Sequence, residues 1–148
     1  MQQLWAMKEV LMLFLFLGIE TIEDLRYRSI RMDWVILFLI AGILMQWIEP
    51  EESLLSVLAG CGIGMLLILI SYFPGIGLGS GDGWIFVVTG IFLGGIKNAL
   101  LCYLSFVLAA VIGSLGIMIS KRWGNKKNHT LPFLPFIFLG NLFICIAE

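Results

Sequence analysis

The chain has 148 residues, 60% of them hydrophobic and only 13% charged, with a mean hydropathy of +1.03. About a quarter of the residues in a typical soluble domain are charged, so the composition excludes a water-soluble globular protein and indicates an integral membrane protein. The formal net charge of -1 says little about partners, because in membranes the distribution of Lys and Arg among the loops matters more than their sum.

Apolar runs occur at about Leu4 to Ile19, Trp34 to Ile48, Leu54 to Phe73, Trp84 to Ile96, Ala99 to Ile119 and Leu131 to Ala147. Each is near the roughly 20 residues that a spanning helix needs, which predicts an all-α, polytopic membrane protein of about six transmembrane helices. The first run carries Lys8 and Glu9, adjacent residues that do not share a helix face and so belong near an interface or against protein. It has neither a basic segment before it nor a small-residue cleavage site after it, and it reads as a mature helix rather than a signal peptide.

Between the first two runs lies IEDLRYRSI, Ile22 to Ile30, which brings Asp24 just past the end of the first helix and begins a basic loop of Arg26, Arg28 and Arg31. Asp33 stands at the start of the second helix, where an N-cap or interfacial role suits it; Glu23 adjoins Asp24 and points elsewhere on a helix. The next turn is acidic, EPEE at Glu49 to Glu52. After the third run comes YFPGIGLGSGDGWIF, Tyr72 to Phe86, with glycine at 75, 77, 79, 81 and 83 and one carboxylate, Asp82. The fourth run, Trp84 to Ile96, is short: at about 1.5 Å per residue it extends about 20 Å against about 30 Å of hydrocarbon, so either the helix begins below the surface or the bilayer thins there.

The loop at Lys121 to His129 adds Lys121, Arg122, Lys126 and Lys127, so two loops hold seven of the nine basic residues. With six spans these loops share a side with the glycine loop, and the acidic turn falls on the other. The positive-inside rule then makes the basic loops cytoplasmic and both termini extracytoplasmic. Cys61, Cys102 and Cys145 are isolated in apolar runs without metal-binding or disulfide spacing and read as packing residues. His129 reads as solvated. Residues 1–148 form one domain, with no cofactor expected.

This topology brings Asp24 and Asp82 to one face, each near the bilayer edge, where an ionisable group is by default a functional candidate. Two adjacent carboxylates share a proton and titrate as a pair; one deprotonates a water while the other hydrogen-bonds or protonates a carbonyl, which is general acid/base hydrolysis of an amide. On that reading Gly79 and Gly81, flanking Ser80, remove side chains so that an extended substrate lies beside Asp82. The structural alternative is that the glycines form turns or helix-packing surfaces and that Asp82 caps the helix beginning near Trp84.

GSGD, Gly79 to Asp82, together with Asp24 and the basic stretch to Arg31, resembles the type IV prepilin peptidase family, aspartic membrane proteases with a GxGD signature. LPFLPFIFLG, with Pro132, Phe133, Pro135 and Phe136, is similar to the motif that opens the family's last helix. Arg31 and Met32 stand where many relatives have Pro-Asn, and Gly83 and Trp84 replace a hydrophobic-Lys pair. The resemblance implies Asp24 and Asp82 as catalytic residues, with Gly79, Ser80 and Gly81 beside the substrate. It implies cleavage of the basic leader from membrane-inserted prepilin-like precursors at the cytoplasmic face of a prokaryotic plasma membrane. The chain has no cysteine-rich insert of the bifunctional relatives, so a peptidase-only form is expected, of the small kind that serves Flp or Tad-type pili. No nucleic-acid partner is expected.

The basic leaders would be repelled by Arg26, Arg28 and Arg31; at least two of these read as topology determinants and contacts for anionic lipid heads, and one is placed to bind a carboxylate or to lower the pKa of Asp24 by proximity. A rival class is a small transporter or channel subunit using Asp24 and Asp82 as a proton or cation relay; it should have mid-membrane acids and an inverted repeat, neither of which appears. A non-catalytic component of a membrane complex is the third reading, and it would tolerate Asp82→Asn.

Overall fold

The computed structural model describes residues 2–27, 29–48, 50, 52–73, 79–122 and 132–147, with side chains described from residue 8 of the first helix and, in the fourth, through residue 116 and at Met118. Gly75, Gly77, Arg28, Glu49, Glu51, Lys126, Lys127 and His129 lie outside these residues. The described chain is helical, in five elements: α1 (Gln2–Tyr27), α2 (Met32–Ile48), α3 (Leu54–Ser71), α4 (Ser80–Arg122) and α5 (Leu134–Ala147). Local chemistry sets several of the ends. Ser53 precedes α3 in extended conformation and accepts the Ser56 N–H at 3.2 Å, the usual serine N-cap. Asp33 is the second residue of α2, inside its first turn rather than at the N-cap, where its charge complements the helix dipole.

The fourth element departs from the expected pattern. The interruption was expected between Ile96 and Ala99, at the polar pair Lys97 and Asn98, but α4 breaks at Gly94, with φ 70° and ψ -175°. That φ suits a residue without Cβ. Asn98 is instead turned inward with no exposed surface. Its Nδ2 donates to the carbonyls of Gly60 at 2.9 Å and Phe86 at 3.0 Å, and its Oδ1 accepts from Thr89 Oγ1 at 2.7 Å. In a straight helix, residues 86 and 98 would be about 18 Å apart, so the chain doubles back at Gly94. The five elements therefore supply six rods of helix, the fourth and fifth being the two arms of α4.

The first arm packs against α3 with backbones almost touching. A Cβ on Gly60 would lie 2.6 Å from the Gly90 carbonyl, one on Gly90 2.4 Å from the Gly60 carbonyl carbon, and one on Gly64 2.4 Å from the Val87 nitrogen. Such approach is the use of small residues between membrane helices, where packing replaces the hydrophobic drive. The second arm meets α5, with Phe106 and Phe133 ring centroids 5.1 Å apart. In turn α5 meets α1 through Phe138 and Phe14 at 5.7 Å, and α1 meets α2 through Phe16 and Phe38 at 5.0 Å. Phe16, Leu17, Ile85, Phe86, Leu101 and Ile137 fill the centre.

Outside this core the helices expose large apolar side chains, among them Leu55, Leu58, Met65 and Leu69 on α3 and Val111, Leu115 and Met118 on α4. Contiguous apolar surface of this kind marks a membrane or partner interface. The stretches Leu54–Ser71 and Ser80–Gly116 are long and apolar enough to cross a membrane, and α2 and α5 are shorter apolar helices. Because α4 is folded at Gly94, its two arms lie side by side.

Candidate active site

One end of the bundle gathers the residues that carry chemistry. Asp24 sits on the last turn of α1 and is only 8% exposed. Its Oδ2 accepts the backbone N–H of Leu134, the first residue of α5, at 3.2 Å. The first N–H groups of a helix have no partner within it, and Pro135 supplies none at the second position. Asp24 thus caps α5 from another helix, and the spacing of LPFLPF acquires a local reason: a proline pre-set for a first turn, preceded by an N–H held by a carboxylate.

Asp82 occupies the third position of α4, half-buried, with its backbone N–H bonded to the Gly79 carbonyl at 3.1 Å. Its carboxylate folds back over Gly79, where a Cβ would come 3.3 Å from Oδ2, and the Gly79 backbone offers it a hydrogen bond. α4 begins at Ser80 rather than near Trp84, so Asp82 stands inside its first turn, where its charge complements the helix dipole, and not at the N-cap position. The Asp24 carboxylate, 58 residues earlier in the chain, lies near enough to act on Asp82 as a like charge.

The turn after α1 docks on the same place. A Cβ on Gly81 would be 2.7 Å from Ile30 Cδ1 and 3.3 Å from Ile30 Cβ. The space beside Gly81 is filled by Ile30, so this glycine lets the α1–α2 turn seat on the first turn of α4. Gly79 and Ser80 remain exposed at the mouth of the helix.

Arg31 lies 3.6 Å from Glu23 and 3.6 Å from Asp33, tying the end of α1 to the start of α2. Arg26 stacks on the ring of Tyr27, 5.5 Å from its centroid. Asp33 is strongly exposed.

Of the buried polar residues that the sequence pattern does not single out, two have side chains without a hydrogen-bond partner among the described residues. Glu20, with no exposed surface, has neither carboxylate oxygen hydrogen-bonded among the described residues. Asn141 on α5 is equally buried, and its amide is likewise unpartnered among them. The available signal for Glu20 was its spacing: four residues before Asp24, it falls on the same helix face.

No curated protein and no solved structure matches the chain significantly. A family model described as type IV leader peptidase family matches residues 11–118, a span from the middle of α1 to near the end of α4 that includes both Asp24 and Asp82. With its apolar helices, the match indicates a membrane protein of the protease class. The chain belongs to the type IV leader peptidase family.

Proposed function

We propose that the protein is an intramembrane aspartic endopeptidase in which Asp24 and Asp82 position and activate the hydrolytic water. The observation that carries this reading is the approach of two carboxylates from α1 and α4 at one end of the bundle. One carboxylate takes a proton from water as its oxygen bonds to the scissile carbonyl carbon. The other, bearing the shared proton, hydrogen-bonds the carbonyl oxygen and protonates the amine as the C–N bond breaks. The hold of α5 on Oδ2 of Asp24 leaves Oδ1 for the reacting groups.

The substrate on this reading is the basic leader of a prepilin-like precursor, cut at its junction with the apolar helix and entering from the cytoplasmic face. A small peptidase-only form suits Flp or Tad-type pilins. The short first arm of α4 supports a site below the surface: from Asp82 to Gly94 it rises about 18 Å, against about 30 Å of hydrocarbon. The exposed Gly79 and Ser80 would border the extended leader junction.

Co-expression with a pilin-like precursor tests the assignment. Asp24→Asn and Asp82→Asn are each expected to abolish cleavage while the protein remains inserted, since an amide keeps size and most hydrogen bonds but cannot accept the proton from water. Asp33→Asn is expected to cleave normally. Full cleavage by Asp82→Asn would reject the protease mechanism, and loss in Asp33→Asn beside an active Asp24→Asn would move the first catalytic acid.

A further inference from the structure

Viewed down α4, successive residues of the first turn point in directions about 100° apart. The direction of Asp82 falls between those of Gly79 and Gly81. Gly83 faces α3, where a Cβ would be 2.5 Å from Ile68 Cγ1 and 2.8 Å from the Ile68 nitrogen. On the Gly79 side the helix end is open, since Gly79 and Ser80 are exposed. On the Gly81 side it is closed by Ile30, whose Cδ1, Cβ and Cγ1 stand 2.7, 3.3 and 3.4 Å from the place that a Gly81 Cβ would take. Ile30 belongs to the turn that leaves α1 just after Asp24. One short turn thus continues from the helix of one aspartate and lies against the chain neighbour of the other.

The position of Ile30 is fixed from several sides. It is partly buried and packs against the central core, and its branched Cβ leaves the side chain few rotamers. The next residue, Arg31, lies 3.6 Å from Glu23 near the end of α1 and 3.6 Å from Asp33 at the start of α2, which fastens the turn at both ends. Neighbouring Cα atoms are about 3.8 Å apart, and a carbonyl carbon is about 1.5 Å from its own Cα. The side chain of a residue attacked at Asp82 therefore starts within reach of whatever covers Gly81. That cover is Ile30.

We propose that Ile30 is a specificity-determining residue: its side chain forms one wall of the approach to Asp82 and limits the bulk of the substrate residue whose carbonyl is attacked. This role rests on the aspartate-pair reading and gives the α1–α2 turn a part in choosing the bond. A small residue at that position fits between the wall and the open edge at Gly79. A β-branched one meets Ile30, and its carbonyl is held back from Asp82.

The test uses precursors that differ only in the residue before the cut, which the masses of the products locate. Versions with glycine, alanine or valine there are incubated with purified full-length protein in detergent, and kcat/KM is measured for each. In the wild type the values are expected to fall in that order. Ile30→Val removes Cδ1, the atom nearest Gly81, and Ile30→Ala removes both γ carbons as well. The ratio of the valine to the glycine precursor is expected to rise about tenfold in the first variant and further in the second, the scale on which one methylene counts in a fitted pocket.

Such a ratio is unaffected by the amount of folded protein, so a merely structural Ile30 would lower all three values together and leave their ratios at the wild-type level. That result in both variants would overturn the proposal, as would a wild type that cuts the valine precursor as fast as the glycine one. Where Ile30→Ala folds poorly, the gentler Ile30→Val decides. Full cleavage by Asp82→Asn would reject the protease mechanism and the role of Ile30 with it, whereas cleavage that requires Asp82 but keeps the wild-type ratios would reject the role of Ile30 alone.

Discussion

Substituting Asp24 separates two duties that the carboxylate performs at once. It holds the Leu134 N–H at the start of α5, and on the proposed mechanism it handles protons. Asparagine retains an acceptor for the N–H, whereas alanine retains neither function. Asp24→Asn is expected to unfold in detergent within about 0.5 kcal/mol of the wild type, while Asp24→Ala loses about 1–2 kcal/mol, the usual cost of a missing helix cap; thermal unfolding of the two variants measures the difference. Equal stability of the two would remove the capping role. Asp24 and Asp82 were legible in the sequence because an acid beside an apolar run stands out, and the order of motifs tied them together. The contact with Leu134 was not, because nothing in local sequence says which distant carboxylate will meet an orphan N–H.

At the scale of the element, glycine decides how α3 and α4 meet. Gly60 and Gly90 face each other backbone to backbone, while a Cβ on Gly62, two residues from Gly60, would meet nothing within 4 Å. This gives a matched comparison on one helix. Gly60→Ala or Gly90→Ala must push two helices apart and is expected to destabilise by about 1–3 kcal/mol, as overpacking does. Gly62→Ala is expected to be neutral or to stabilise by up to about 1 kcal/mol, through helix propensity. The same ranking should appear in unfolding midpoints measured in one detergent; a Gly62 variant as damaged as the Gly60 variant would mean that propensity, not contact, governs this interface. The six apolar runs foresaw the rods of helix but misplaced one break. The polar pair Lys97 and Asn98 separates two of these runs, yet Asn98 satisfies its amide inside the fold and the reversal falls to Gly94. Hydropathy registers where polar groups occur in the chain and is blind to whether they find partners.

For the whole molecule, the contacts sort the two ends of the bundle as the charges sort the loops. Asp24, the Ile30 turn, the start of α4 and the start of α5 are joined at one end by the Leu134 and Gly81 contacts. At the other, Gly95 donates to Ser56 Oγ at 3.1 Å, Ser56 donates to Glu52 at 2.8 Å, and the Gln46 amide bonds the Glu52 carbonyl, so the acidic turn is fastened to the reversal in α4. Among the described residues the Asp24 end carries Arg26 and Arg31, and the proposed function needs that end to face the cytoplasm. Single cysteines in a background lacking Cys61, Cys102 and Cys145 test the assignment with a membrane-impermeant maleimide. Ser29→Cys and Ser80→Cys are expected to react only after the inner face is opened, and Ser53→Cys to react in intact cells. Reaction of Ser29→Cys and Ser53→Cys from the same side would break the six-rod topology itself. Reaction of all three with the sides exchanged would keep the fold but invert it, putting the two aspartates where a cytoplasmic leader never arrives. The topology experiment therefore bears on mechanism as directly as any substitution of the acids, because the proposed hydrolysis requires Asp24, Asp82 and the basic leader on one side of the membrane.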